Sequence, residues 1–362
     1  MAALDRYFDV LLERGGSDLH LSIGYPPMIR TKGELIPIAR RPLDHSTTVR
    51  LMDEILSEEK RAHFHAHRDL DFAYGYGAKA RFRANYLYKT TGPGAVFRTI
   101  PSEIITVAQL GLPHAVVKLA ERRSGLVLVT GPTGSGKSTT LAAMLDHINR
   151  TREGHILTIE DPVEFVHSPK KCQITHREVG EDTPSFADAI RSAGRENADV
   201  ILVGELRGRD TMKMALQLAS FGILIFATVH TNSAPATIDR FVNAFPAGQQ
   251  PQIRGMLADS LAGIVAQQLL RRADGSGRVA VQEILIGTSG VASAIREAKT
   301  SMLQSLIQSG GSHGMQSIDA MLEKLVAEGT VTPHDALDKA TDKNHFAKLP
   351  RVAAALKGSP LA

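Results

Sequence analysis

The sequence predicts an α/β fold, a parallel sheet bearing a phosphate-binding loop, with a smaller α+β domain ahead of it. Three observations carry that prediction. Residues 126–140, LVLVTGPTGSGKSTT, form an apolar strand that runs straight into a glycine-rich loop and a helix. From residue 113 onward, apolar strands alternate with helical stretches, which implies right-handed crossovers and parallel pairing. Before residue 100, strands outnumber helices, as in an α+β domain around an antiparallel sheet.

Taken in order, the first domain opens with a helix from Leu4 to Arg14, stopped by Gly15, and a strand over Leu19–Ile23. A helix near Thr47–Leu56 and strands at Leu70–Tyr74, Arg81–Tyr88 and Ala95–Ile100 complete it. Pro101 to Pro113 reads as a linker, with Pro113 suited to the first position of a new helix. The second domain follows as strand 126–130, helix 137–149, strand 155–160, helix 184–193, strand 199–203, helix 209–219 and strand 223–229. From 233 to 340 the pattern is mostly helical around one further strand, Arg278–Leu285. These readings divide the chain into 1–100, a linker 101–113, 114–342 and a tail 343–362 whose very end is expected to be poorly ordered.

Composition excludes several classes. Of 362 residues, 43% are hydrophobic and 22% charged, which is ordinary globular usage. A net charge of +4 is too weak to argue for nucleic acid. One cysteine, Cys172, excludes a disulfide framework and a four-cysteine zinc site, and it suits a reducing compartment. Asp5 and Arg6 interrupt any signal-peptide core. The longest apolar run, Met214–Val229, contains Gln217 and Ser220 and breaks at Gly222, so it reads as a helix end followed by a buried strand rather than a membrane span.

The loop from Gly131 to Ser138 fits G-x-x-x-x-G-K-[ST] at every fixed position. Its glycines let successive backbone N–H groups face one concavity at a helix N-terminus, where an anion is favoured. Gly131, Pro132, Thr133, Gly134, Ser135, Gly136, Lys137, Ser138 and Thr139 are therefore the candidate nucleotide-binding residues. Lys137 supplies a cation for the β/γ-phosphates, and the Ser138 hydroxyl a ligand for Mg2+. Three further strand ends offer what hydrolysis requires. Ile156–Ile159 delivers Glu160 and Asp161, Val200–Val203 leads to Glu205 and Arg207, and the stretch Ala227–Asn232 presents His230. One carboxylate can deprotonate water and another can hold the metal: Glu160 is assigned as general base, and Glu205 with Ser138 and Asp161 as metal-side residues. The order of those two glutamates stays open, as does the alternative that any one of these polar residues is only a cap or a solvated turn.

With those segments in view, the chain resembles the secretion ATPases of type IV pilus systems, specifically the PilT-like retraction motors. The resemblance rests on Gly16-Ser17-Asp18-Leu19-His20, RFRANYLY with VFRTIP, the phosphate loop, ILTIEDPVEF, ADVILVGELR, ATVHTNSA, GRVAVQEIL and GMQSIDAML, in family order over residues 4–340. It implies a homohexameric ring of subunits, each with a PAS-like N-terminal domain and a RecA-like ATPase domain. It implies ATP with Mg2+ as cofactors, a place on the cytoplasmic face of the inner membrane, and a pilus platform protein there as the load. It also implies that Arg81, Arg83 and Arg98 complete a site across a domain or subunit boundary. No nucleic acid and no small-molecule substrate besides ATP are expected. A DNA-pumping translocase and a non-catalytic, ATP-binding ring subunit remain as alternative classes. The chain departs from the family in three places. The retraction signature A-I-R-N-L-I-R-E survives only in part, as 290–297, GVASAIRE. Ile223 replaces an earlier histidine, and Gly208 an acidic residue.

Other features read as structural. His63, His65 and His67 alternate and would share one face of a strand, but no Cys or carboxylate is spaced to complete a metal site. Lys79, Arg81, Arg83 and Lys89 interleave with Phe82, Tyr86 and Tyr88; the aromatics are expected in the core and the arginines at an interface. Met212, Met214 and Met302 are expected as core fillers.

Overall fold

The computed structural model describes residues 3–31, 33–77, 79–100, 103–350 and 352–354. The start of the expected linker at 101–102 and the end of the tail, 351 and 355–362, lie outside the described residues. The chain divides into two compact units. One is Met1–Glu103 with Pro162–Val166, and the other is Ile104–Asp161 with His167–Ala362.

The first unit runs α1 (Asp5–Glu13), β1 (Asp18–Ser22), β2 (Met28–Thr31), β3 (Glu34–Pro37), α2 (His45–Asp53), α3 (Glu58–His67), β4 (Asp69–Tyr76), β5 (Ala80–Lys89) and β6 (Gly92–Ile100). The strands form one sheet in the order β3-β2-β1-β6-β5-β4, every pairing antiparallel. Phe8 of α1 stacks on Phe82 with centroids 4.3 Å apart and meets Phe97 edge-on, so α1 is fastened across one face by aromatic packing. As expected, Phe82 and Tyr86 are buried; Tyr88 is partly exposed. The expected histidine alternation is overturned. Ser57 caps Lys60 N–H, Glu58 and Glu59 sit in the first turn, and these residues form α3 instead of a strand. At helical spacing His63 and His67 share a face, their rings stacked 4.1 Å apart, and His65 leaves it. No group of three potential metal ligands occurs among the described residues.

The second unit runs α4 (His114–Ala120), β7 (Gly125–Thr130), α5 (Lys137–Thr151), β8 (Gly154–Glu160), β9 (Cys172–Glu178), α6 (Phe186–Ala193), β10 (Val200–Val203), α7 (Arg209–Ser220), β11 (Leu224–Val229), α8 (Ala234–Asn243), α9 (Gln250–Ser260), β12 (Leu261–Arg271) and β13 (Arg278–Ile286). Helices α10 (Ser289–Arg296), α11 (Leu303–Ser309), α12 (Ile318–Ala327), α13 (Pro333–Lys339) and α14 (Lys343–Phe346) follow. The sheet order is β13-β12-β7-β11-β10-β8-β9; β12 through β9 pair in parallel, and only β13 is antiparallel to its neighbour. Strand β7 is buried along its whole length, as expected for a sheet covered on both faces.

Several sequence expectations are corrected. Pro113 caps α4 from just outside rather than occupying its first position, because its ψ of 143° is extended. The region after 233 holds a hairpin, β12–β13, where one strand was expected, and β2, β3 and β9 had no counterpart in the sequence reading. Met302 is half exposed and fills no core, unlike the buried Met212. Phe346 and Val352 are buried with Leu322 and Val331 in a cluster over β13, which ties down the start of the tail.

Candidate nucleotide site

The phosphate loop leaves β7 at Thr130 and enters α5 at Lys137. Gly136 precedes the helix at φ 85°, a left-handed conformation that leaves the first-turn N–H groups facing outward. Gly131, at φ 145°, is required by space as well: a Cβ there would lie 2.2 Å from the Gln267 carbonyl oxygen and 2.6 Å from Ser135 Oγ. Lys137 is buried, and its ammonium donates to the carbonyls of Gly131 at 2.9 Å and Pro132 at 3.1 Å, inside the curl of the loop. Pro132, Thr133 and Gly134 are exposed at the loop's tip, and Ser138 and Thr139 half-buried at the helix start. The hydroxyls of Ser135 and Thr130 are buried and lack a protein hydrogen-bond partner. A nest of this shape, with polar atoms held unpaired at its base, fits a phosphate group.

The remaining candidates lie along the same edge, because register forces them there. Val203 of β10 aligns with Ile159 of β8 and Ala227 of β11, and Val229 of β11 aligns with Thr130 of β7. Reading across the edge gives the phosphate loop, His230, Glu205 and Glu160 in strand order. At roughly 4.8 Å per strand, the stems of Glu205 and Glu160 stand about 10 and 14 Å from that of the loop. The ends are bound together: Gly204 N–H donates to Ile159 O at 2.8 Å, Leu206 N–H to Thr228 O at 3.1 Å, and the Thr228 hydroxyl to Gly204 O. Gly204 also allows close approach, since a Cβ there would sit 3.3 Å from Glu160 Cα.

Glu205 is the hub of this edge. Arg207 Nε lies 2.8 Å from one of its carboxylate oxygens and His230 Nε2 3.4 Å from the other. The three polar residues are thus brought into one cluster, although two separate loops supply them. Glu160 is buried at the end of β8, and Asp161, one residue on, is exposed.

The candidate arginines belong to the other unit. Arg83 and Arg98 are cross-strand neighbours on β5 and β6, and two like charges face to face need counter-charges. Asp71 lies 3.2 Å from Arg83, and Asp18 2.8 Å from Arg98. Burial pushes the Asp18 carboxyl up, but the Ser17 hydroxyl and Arg98 outweigh it and hold it below the ordinary range. Arg81 lies opposite Ile100 at the end of the same pair of strands.

Two residues that the sequence reading missed support the site. Gln267 on β12 bonds the phosphate loop. Glu283 on β13 is buried and accepts from Ala234 N–H at 2.7 Å, fixing the start of α8 just after the His230 segment. Burial pushes its carboxyl up.

The type II/IV secretion system protein profile matches residues 3–338. The chain belongs to that family. It is 48% identical over 334 residues to a type IV pilus retraction ATPase, PilT, of Pseudomonas aeruginosa, covering 92% of this chain and 97% of the relative. It is 38% identical to the type IV pilus ATPase PilU of the same organism, over 94% of this chain and 89% of that one. A crystal structure of the pilus retraction motor PilT with bound ADP superimposes with a TM-score of 0.90 at 42% identity, covering 96% of this chain and all of that one. The fold expected from the sequence, a RecA-like parallel sheet after a PAS-like antiparallel one, is the fold of this neighbour. Among the described residues no helix is long and apolar enough to cross a membrane.

Proposed function

We propose that this chain is the ATP-hydrolysing subunit of a hexameric motor that retracts type IV pili. The observation that carries this reading is near full-length similarity to a retraction ATPase, joined to an unbroken catalytic edge on β7, β11, β10 and β8. ATP binds with its phosphates in the loop 131–139, against Lys137. Ser138, Glu205 and Asp161 would hold Mg2+, which would neutralise phosphate charge there. Glu160 takes a proton from the attacking water. Arg207 and His230 hold the Glu205 carboxylate from two sides, and His230 couples hydrolysis at this edge to motion. In a ring, Arg81, Arg83 and Arg98 of the PAS-like domain stabilise charge spread over the transferred phosphoryl group. The functional divisions follow 1–100, 101–113, 114–342 and 343–362. The ring works on the cytoplasmic face of the inner membrane against a platform protein.

An accessory role is the second reading, favoured by Ile223, Gly208 and the broken signature at 290–297. Turnover separates a motor from a binding-only subunit. Glu160→Gln and Glu205→Gln should each lower ATP turnover by about 10²–10⁴ while nucleotide affinity is largely kept. Near-normal turnover in Glu205→Gln would sink the assignment, and strong stimulation by single-stranded DNA would favour a translocase.

A further inference from the structure

Gln267 is a polar side chain, 2% exposed, at the end of a run of buried residues on β12 that begins at Leu261. A group placed there must be fully bonded to be tolerated. It is bonded on every side that matters. Its Nε2 donates to the Ser135 carbonyl at 2.7 Å, and its Oε1 accepts from the Thr140 hydroxyl at 2.8 Å and from Gln282 Nε2 at 2.7 Å. Ser135 O can only accept, so the nitrogen must face the loop, and the orientation of the amide is determined by chemistry. Gln282 is held in turn through its backbone: Gln316 Nε2 donates to the main-chain carbonyl of Gln282 at 2.8 Å.

The placement follows from register. Ala266 pairs with Thr130, the last residue of β7, and Gln267 is the next residue along β12. Gln267 therefore stands beside the loop as it leaves the sheet. One amide then grips both ends of the phosphate cradle: Ser135 within the loop and Thr140 in the first turn of α5. Its own carbonyl oxygen closes the space next to Gly131.

We propose that Gln267 is a positioning residue for nucleotide binding, which holds the phosphate loop open in the shape a bound diphosphate requires, with Gln282 as its backing. This rests on the nucleotide-site reading above. A Glu at 267 offers a discriminating probe. Ionised, it presents an acceptor to the Ser135 carbonyl and repels it; protonated, it donates an O–H and restores the bond. Its partners Ser135, Thr140 and Gln282 do not titrate. The only charge on the adjacent loop is Lys137, and Glu283 on β13 is committed to Ala234 N–H.

The experiment measures ADP affinity of the full-length protein from pH 8 to 5.5, each value divided by that of the wild type at the same pH. Gln267→Ala should weaken ADP by roughly ten- to a hundredfold at all pH values, the cost of an unsatisfied buried carbonyl. Gln267→Glu should be at least as weak at pH 8 and recover by about tenfold or more toward pH 5.5, because burial raises a carboxyl pKa. Gln282→Met, which keeps the volume, should give a smaller loss that is flat with pH; it tests the same grip if Gln267→Glu does not fold. Wild-type affinity in Gln267→Ala and Gln282→Met overturns the inference alone. A Gln267→Glu loss that stays parallel to that of Gln267→Ala across the range also overturns it. Failure of the wild type to bind ADP overturns both the inference and the reading beneath it.

Discussion

Replacing Gly131 by alanine tests the shape of the phosphate loop most sharply, because the structure states what the added methyl would strike. Its Cβ would lie 2.2 Å from the Gln267 carbonyl oxygen. A carbon–oxygen contact relaxes to about 3.3 Å, so roughly 1 Å of movement is required. Gln267 cannot supply it, since β12 is bonded to β7 on one side and to β13 on the other. The loop must move instead. Overpacking of this kind costs about 1–3 kcal/mol, and a non-glycine residue forced to φ 145° costs about 1–3 kcal/mol more. The expected total of ~2–6 kcal/mol should appear as lost nucleotide affinity, lost stability, or both. Gly134→Ala is the control. Gly134 also has positive φ, 78°, but a Cβ there meets nothing within 4 Å, so only the backbone cost of about 1–3 kcal/mol applies. The assay is titration with a fluorescent ADP analogue beside urea unfolding of both variants. If Gly131→Ala binds ADP as tightly as Gly134→Ala and is equally stable, the steric reasoning is refuted.

Two further outcomes are expected. His167 is buried with His176 close by, and burial first, then that neighbour, lowers its pKa from 6.5 to about 4. It is neutral when folded and takes up a proton on unfolding, so its contribution is complete above about pH 6.5 and is lost as pH falls toward 4. That amounts to as much as about 3 kcal/mol at 1.36 kcal/mol per unit. His167→Gln should flatten the fall in unfolding free energy between pH 7 and 4.5 relative to the wild type; identical slopes would reject this origin. For the shared site, mixing Lys137→Ala with Arg83→Ala subunits should recover part of the lost ATPase activity, since some interfaces then pair an intact loop with an intact arginine. No recovery at any ratio, with mixed assembly verified, would count against arginines acting in trans.

How much of this was legible in the sequence depended on how each element buries itself. Strand β7 and the loop after it could be read directly, since a strand covered on both faces is continuously apolar and the glycines follow at fixed spacing. The ends of β8, β10 and β11 were legible for the same reason. Strand β12 was not. It follows α9 without a turn between Ser260 and Leu261, and its two central glutamines break the apolar run that would have marked a core strand. Gln267 is polar because it bonds the phosphate loop, so that residue concealed its own strand. Strand β9 lies at the sheet edge, mostly half-buried, and its CQITHRE pattern carries little hydrophobic signal. Helix α3 buries only Phe64, so it shows no apolar stripe, and its capping residues Ser57, Glu58 and Glu59 were the better indication. Glu160, Glu205 and His230 were found as strand-end residues. That Arg207 and His230 share one carboxylate is a matter of strand order, which no single segment contains.

The central claim is that ATP hydrolysis on this edge retracts pili, and it is tested most directly in cells. In bacteria whose only copy of this chain carries Glu205→Gln, surface pili should accumulate and twitching motility should stop, as in cells lacking the chain altogether. Normal pilus numbers and normal twitching in both strains would contradict the account.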